Sequence, residues 1–158
     1  HYNEYSTGRP HVEGKDKDRF RSKYLDIPNE PLYPFGYGLS YTTYSYSDIH
    51  LSSNQMSRDG SIKATVTVTN TGTRDGDEIV QLYIHDKVAS ISRPVRELKG
   101  FKRIHLNAGE SKDVSFDITP DLLKFYDANL KEVLEPGQFD LMIGASSINN
   151  KTTLFTVY

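Results

Sequence analysis

Ile62-Lys63-Ala64-Thr65-Val66-Thr67-Val68-Thr69 is the stretch that decides the fold. Ile62, Ala64, Val66 and Val68 alternate with Lys63, Thr65, Thr67 and Thr69, a period of 2 that puts all four aliphatic side chains on one face of a β-strand. Most of its residues are β-branched, which suits a pleated, half-buried surface. Just before it, Ser57-Arg58-Asp59-Gly60 is a turn, with Asp-Gly marking a hairpin or a loop. Just after it, Asn70 to Asp77 is rich in turn formers. The Asp-x-Asp appearance of Asp75 and Asp77 lacks the alternating ligands and terminal Glu of a calcium loop, so no metal is expected there. The next strand, Glu78 to His85, carries Val80, Leu82 and Ile84 on one face and Ile79, Gln81 and Tyr83 on the other. Two partly apolar faces predict a central strand whose second face is partly covered.

Further from that centre the same grammar continues. Upstream, Tyr44 and Tyr46 share one parity while Ile49 and Leu51 take the other, which predicts a β-bulge or a strand that changes sheets. Downstream, Asp86 to Leu98 reads as a long loop broken at Ser92-Arg93-Pro94, and a strand resumes from Lys99 to Leu106. Asn107 to Glu110 turns the chain into a strand carrying Val114, Phe116 and Ile118. Thr119-Pro120 is a cap followed by Pro at the first helical position, so one short helical turn is expected from Asp121 to Phe125. A turn at Asp127 to Asn129, a short strand from Lys131 to Leu134, and a final hairpin complete the chain. In that hairpin Phe139, Leu141 and Ile143 face inward, Gly144 to Asn150 is the loop, and Thr152 to Tyr158 closes. Seven to eight short strands with turn signals between them and almost no helix predict an all-β protein, an antiparallel β-sandwich of immunoglobulin or fibronectin type III kind. With no Cys there is no disulfide frame, and with no Trp the core volume falls to Tyr and Phe.

The first 46 residues are different. Eight of the 11 Tyr lie there. Residues 1 to about 30 are polar and irregular, and Gly14 to Arg19 is a mixed-charge run expected to be a solvated loop. Pro31-Leu32-Tyr33-Pro34-Phe35-Gly36-Tyr37-Gly38-Leu39-Ser40-Tyr41-Thr42 has neither strand nor helix period, and its prolines bar both from running through it. So many aromatics need surface to pack against, so the segment reads as an ordered linker or as a clamp for a second domain. The expected division is an irregular linker over 1–40 and a sandwich over 41–158.

At 158 residues the chain supports one domain with a real core. A net charge of −2 and a pI near 6.2 give no reason to expect nucleic acid or an anionic membrane as partner. No window approaches the roughly 18 apolar residues of a membrane helix. The opening His1-Tyr2-Asn3-Glu4-Tyr5 carries neither signal peptide nor initiator Met, which suggests a fragment or a processed chain. His1, His11, His50, His85 and His105 form no zinc motif, and no nucleophile elbow or phosphate loop is present. Glycoside hydrolysis needs two carboxylates about 5–9 Å apart, and the acidic residues sit mainly in turns or outward positions. No catalytic, cofactor-binding or metal-ligating residue is assigned, and no cofactor is expected. Tyr33, Tyr37, Tyr41, Tyr44 and Tyr46 offer an alternative, a tyrosine-rich platform for glucan.

In combination these residues resemble a known family. PLYPFGYGLSYT at 31–42 is similar to the segment leading into the C-terminal fibronectin type III-like domain of glycoside hydrolase family 3 β-glucosidases. Val66 to Gly72, Val80 to Tyr83, Ser92-Arg93-Pro94 with Leu98 to Phe101, and Pro136-Gly137 with Ile143-Gly144 match that domain in order. Thr7-Gly8-Arg9-Pro10 resembles the tail that connects the preceding α/β domain in bacterial periplasmic members. The resemblance implies a retaining exo-β-glucosidase whose catalytic residues lie in upstream domains, so none is carried onto this chain and the fragment alone is expected to be inactive. It implies a periplasmic or secreted location, a β-glucoside substrate only for the full-length enzyme, and an accessory role: packing on the missing N-terminal catalytic domains, with a homodimer contact of the parent as a further role. The residues expected to pack between domains are Tyr33, Phe35, Tyr37, Leu39, Arg93 and Pro94.

Overall fold

Alternation along residues 62–70 builds the strand around which one sheet forms. The structure, a computed structural model, describes residues 31–158. The expectations for the polar tail, the Gly14–Arg19 charge run and Thr7–Pro10 lie outside the described residues. β1 (Tyr44–Tyr46), β2 (His50–Leu51) and β3 (Gln55–Met56) are short, and β4 (Ile62–Asn70) is the long strand read from the sequence. In β4 every second residue from Ile62 to Asn70 is buried. β5 (Gly76–Asp86), β6 (Glu97–Leu106) and β7 (Ser111–Ile118) follow, then helix α1 (Pro120–Leu123), the small strands β8 (Phe125–Tyr126) and β9 (Glu132–Val133), and the hairpin β10 (Gly137–Gly144) and β11 (Asn150–Val157).

The strands assemble into two packed sheets. β4 lies between β7 on one edge and the broken strand β1/β2 on the other, all antiparallel. The second sheet runs β3-β11-β10-β5-β6, with β3 parallel to β11. Counting β1 and β2 as one interrupted strand gives eight sandwich strands, and β8 with β9 forms a separate ribbon. The parity break read at Tyr46–Ile49 is a bulge. Tyr46 opposes Val68 and His50 opposes Thr65, so four steps on one strand span three on β4. The change of sheet comes later, at β3, so Ser57–Gly60 is a loop between sheets rather than a hairpin. Its Gly60 N–H donates to the Ser57 carbonyl at 3.0 Å. A second bulge lies in the β5–β6 pairing at Leu82/Tyr83.

Phenylalanine fills the volume that a core Trp takes in related sandwiches. Phe139 and Phe155, cross-strand partners on β10 and β11, stack with centroids 5.4 Å apart and planes 20° apart. They are joined by Val66, Val68, Val80, Leu82, Leu141 and Ile143, all buried. The helical turn is shorter than the one read from Thr119-Pro120, ending at Leu123, because the Lys124 backbone leaves the helical region at ψ 151°.

Candidate interdomain docking site

Residues 31–42 form a strap whose backbone is tied to the sandwich and whose large apolar side chains face away from it. Tyr37 N–H donates to the Pro34 carbonyl at 3.0 Å, closing a turn with Gly36 at φ +79° in its third position. The Phe35 carbonyl accepts from Ser147 N–H at 3.0 Å, and the Gly36 carbonyl accepts from Gln81 Nε2 at 3.1 Å. Gln81 also donates to the Ala145 carbonyl at 2.6 Å and accepts from the Tyr83 hydroxyl, so its buried amide is fully used. A Cβ on Gly36 would overlap that amide. The covered second face of β5, read from Ile79, Gln81 and Tyr83, is therefore covered in part by the strap.

Pinning the backbone leaves the side chains outward. Leu32, Tyr33, Phe35, Tyr37, Leu39 and Tyr41 are all exposed, Leu39 at 89% and Tyr41 at 92%. Tyr33 and Tyr37 lie 5.5 Å apart with planes tilted by 39°. A run of large apolar side chains held outward by an ordered backbone has the character of an interaction surface. The five tyrosines of the sugar-platform reading are not brought together, because Tyr44 and Tyr46 are half-buried against the core.

Arg93 and Pro94 stand elsewhere. They lie in the loop that leaves β5 at Asp86, five residues along the strand from Gln81, or about 16 Å. Pro94 is buried. Arg93 donates to Glu97 at 2.8 Å and lies over the Phe125 ring, 4.6 Å from its centroid. Lys99 meets the same carboxylate at 2.6 Å. Arg93 thus links its loop to Glu97 and to β8, with its Nε buried and without a hydrogen-bond partner, and little of either residue faces outward. Asp86 at the root of this loop accepts from Val88 N–H, and burial pushes its carboxyl above the usual range.

Where the strap runs into β1 it rounds one open end of the sandwich. Asn70 is the hub there, with no exposed surface. Its Nδ2 donates to the Arg74 and Leu106 carbonyls at 2.8 and 3.1 Å, and its Oδ1 accepts from Thr42 Oγ1 at 2.6 Å and Gly72 N–H at 3.1 Å. Next to it Tyr46 donates to Glu78 Oε1 at 2.6 Å, a bond between the two sheets. Burial pushes both groups up, Glu78 less because the Tyr46 hydroxyl favours its charged form. The Tyr44 hydroxyl is buried beside Ser40, near Gly76, without a hydrogen bond of good geometry. Between this corner and the β10–β11 loop opens a cleft of about 450 Å³, lined by Ser40, Thr43, Tyr46, Glu78, Asn149 and Lys151 among others.

Among the described residues that line it, the cleft holds a single carboxylate, that of Glu78. Asp77 projects from the opposite face of β5 and is engaged by Arg103 and by His105 Nδ1 at 2.8 Å, contacts that hold it below the usual carboxylate range. Asp75 accepts from Ala108 N–H at 2.8 Å, so of the Asp-x-Asp pair Asp75 ties two loops together while Asp77 pairs across β5 and β6. Among the described residues nothing pairs with Glu78 as acid and nucleophile in glycoside hydrolysis.

The comparisons agree with this geometry. Residues 78–147 match the fibronectin type III-like domain family. Over 98% of its length the chain is 49% identical to the periplasmic β-glucosidase of Salmonella typhimurium, covering 20% of that protein. The chain belongs to the fibronectin type III-like domains of family 3 glycosidases. A β-glucosidase from Listeria innocua, solved with gluconolactone, superposes on 99% of the chain with a TM-score of 0.93 and 41% identity, over 22% of its own chain. A putative β-xylosidase of Formosa agariphila is 50% identical over 86% of the chain, again over 18% of its length. The fibronectin type III-like chain therefore spans about one fifth of the relatives it matches.

Proposed function

We propose that this fibronectin type III-like domain is a non-catalytic accessory module of a longer retaining exo-β-glucosidase, and that it packs on the catalytic part of that polypeptide through the strap. The observation that carries the reading is the strap itself. Its backbone is bound to Gln81 and Ser147 while Leu32, Tyr33, Phe35, Tyr37, Leu39 and Tyr41 point outward. Relatives about five times as long supply a ready occupant within the same polypeptide. Arg93 and Pro94, largely buried in their own loop, complete the proposed packing set. The proposed division at 40/41 sets the strap apart from the sandwich, whose first strand begins at Tyr44. Nearly equal identity to a β-glucosidase and a β-xylosidase favours a module that leaves the choice of sugar to other domains. The name of the Salmonella relative supports a periplasmic or extracellular location.

Leu39→Ser with Tyr41→Ser tests the reading. The pair should lower the melting temperature of the longer polypeptide by several degrees, about 1–3 kcal/mol for two such side chains, and leave the isolated chain unchanged. The isolated chain should show no turnover of an aryl β-glucoside above buffer and no calorimetric heat with oligosaccharides. Turnover by the pure chain, or saturable heat with glucan, overturns the accessory-module reading. A concentration-dependent dimer of the isolated chain abolished by the same pair points to a second copy as the strap's occupant.

A further inference from the structure

Among the described residues lining the 450 Å³ cleft, Glu78 is the one side chain whose charge has no counterpart. Its Oε1 accepts the Tyr46 hydroxyl, and its other oxygen has no hydrogen-bond or ion-pair partner among the described residues. Lys151, the one cation among the described residues that line the cleft, is turned to Asp48 at 3.2 Å. A half-buried carboxylate costs free energy that a donor-rich cation recovers. Ser40 and Asn149 line the same cleft, and a hydroxyl and a side-chain amide are acceptor types that suit the remaining N–H groups of a planar, five-donor head. Geometry adds a second point. Glu78 continues the core-facing row of Val80 and Leu82 to the open end of the sandwich, where Ser40 and Thr42 of the strap line the same cleft. From these observations we infer that the cleft is a socket for an arginine side chain, carried by the part of the parent polypeptide that the strap docks against. The inference rests on the docking reading above for the source of that arginine, and on the cleft alone for its chemistry.

The cleft's chemistry is testable on the isolated chain. N-acetyl-L-argininamide is titrated to millimolar concentration while the backbone amides of Tyr46, Glu78, Asn149 and Lys151 are followed by NMR. Saturable shifts at these positions are expected. They should weaken about tenfold or more with the neutral isostere N-acetyl-L-citrullinamide and in Glu78→Gln, as loss of one charge-assisted bidentate pair requires. Glu78→Gln keeps an oxygen for the Tyr46 hydroxyl, and its dispersed spectrum serves as the folding control. Absence of saturable shifts, equal binding of the citrulline compound, or unchanged binding in Glu78→Gln overturns the socket. Glucose producing the same shifts overturns it in favour of a sugar site. None of these results touches the strap, whose docking is read from Leu39 and Tyr41 in the longer polypeptide, so the two claims fail separately.

Discussion

Three residues carry more than their type suggests. Gly36 combines a positive φ with a position against the Gln81 amide, so any side chain there meets both strain and overlap. Gly36→Ala should cost about 1–3 kcal/mol in urea unfolding and release the Ser147 amide to fast exchange. Asn70 makes four side-chain hydrogen bonds without exposure, and Asn70→Ala orphans several buried partners. A loss on the order of 3 kcal/mol is expected, measured as a lower urea midpoint at unchanged m-value. Glu78 gives a pH signature. Burial raises its folded pKa above the ordinary value of 4.5, so the folded state holds the proton longer than the unfolded chain and stability falls as pH rises from that value toward the folded pKa. Glu78→Gln removes this slope, and its stability relative to the parent should grow as pH rises above 4.5 and level off once the folded carboxyl has ionised. Gly36 was legible only as part of an irregular stretch. The hub role of Asn70 was not, since Asn-Thr-Gly reads as an ordinary turn and its partners Thr42, Arg74 and Leu106 come together only in the folded sandwich.

At the scale of elements, periodicity located the long strands closely. β4, β7 and the β10–β11 hairpin appear where alternating aliphatic and aromatic residues place them, because each buries one face. What alternation leaves open is pairing. The parity break before Leu51 signalled an irregularity but not which kind, and the structure resolves it as a one-residue slip against β4 followed by a separate switch at β3. β5 was read as central from its two apolar faces. Its cover is a segment more than forty residues upstream, a contact that no local pattern encodes. The hairpin offers a direct check on the core, because Phe139 and Phe155 stand where no Trp is available. Phe155→Ala should destabilise the chain by about 3–5 kcal/mol, read by urea unfolding, with the loss concentrated in exchange protection along β10 and β11.

For the whole molecule, the strap joins fold to function: one side belongs to this sandwich and the other is turned away from it. The docking residues divided accordingly. Tyr33, Phe35, Tyr37 and Leu39 lie on the outward side, whereas Arg93 and Pro94 are spent on their own loop, a distinction that composition does not draw. Amide hydrogen exchange over residues 31–41, compared between the isolated chain and the longer polypeptide, tests the central claim most directly. The account predicts slow exchange at Tyr37 and Ser147 in both, and marked slowing at Leu32, Tyr33, Leu39 and Tyr41 only in the longer polypeptide. Equal exchange at those four positions in both forms would contradict it.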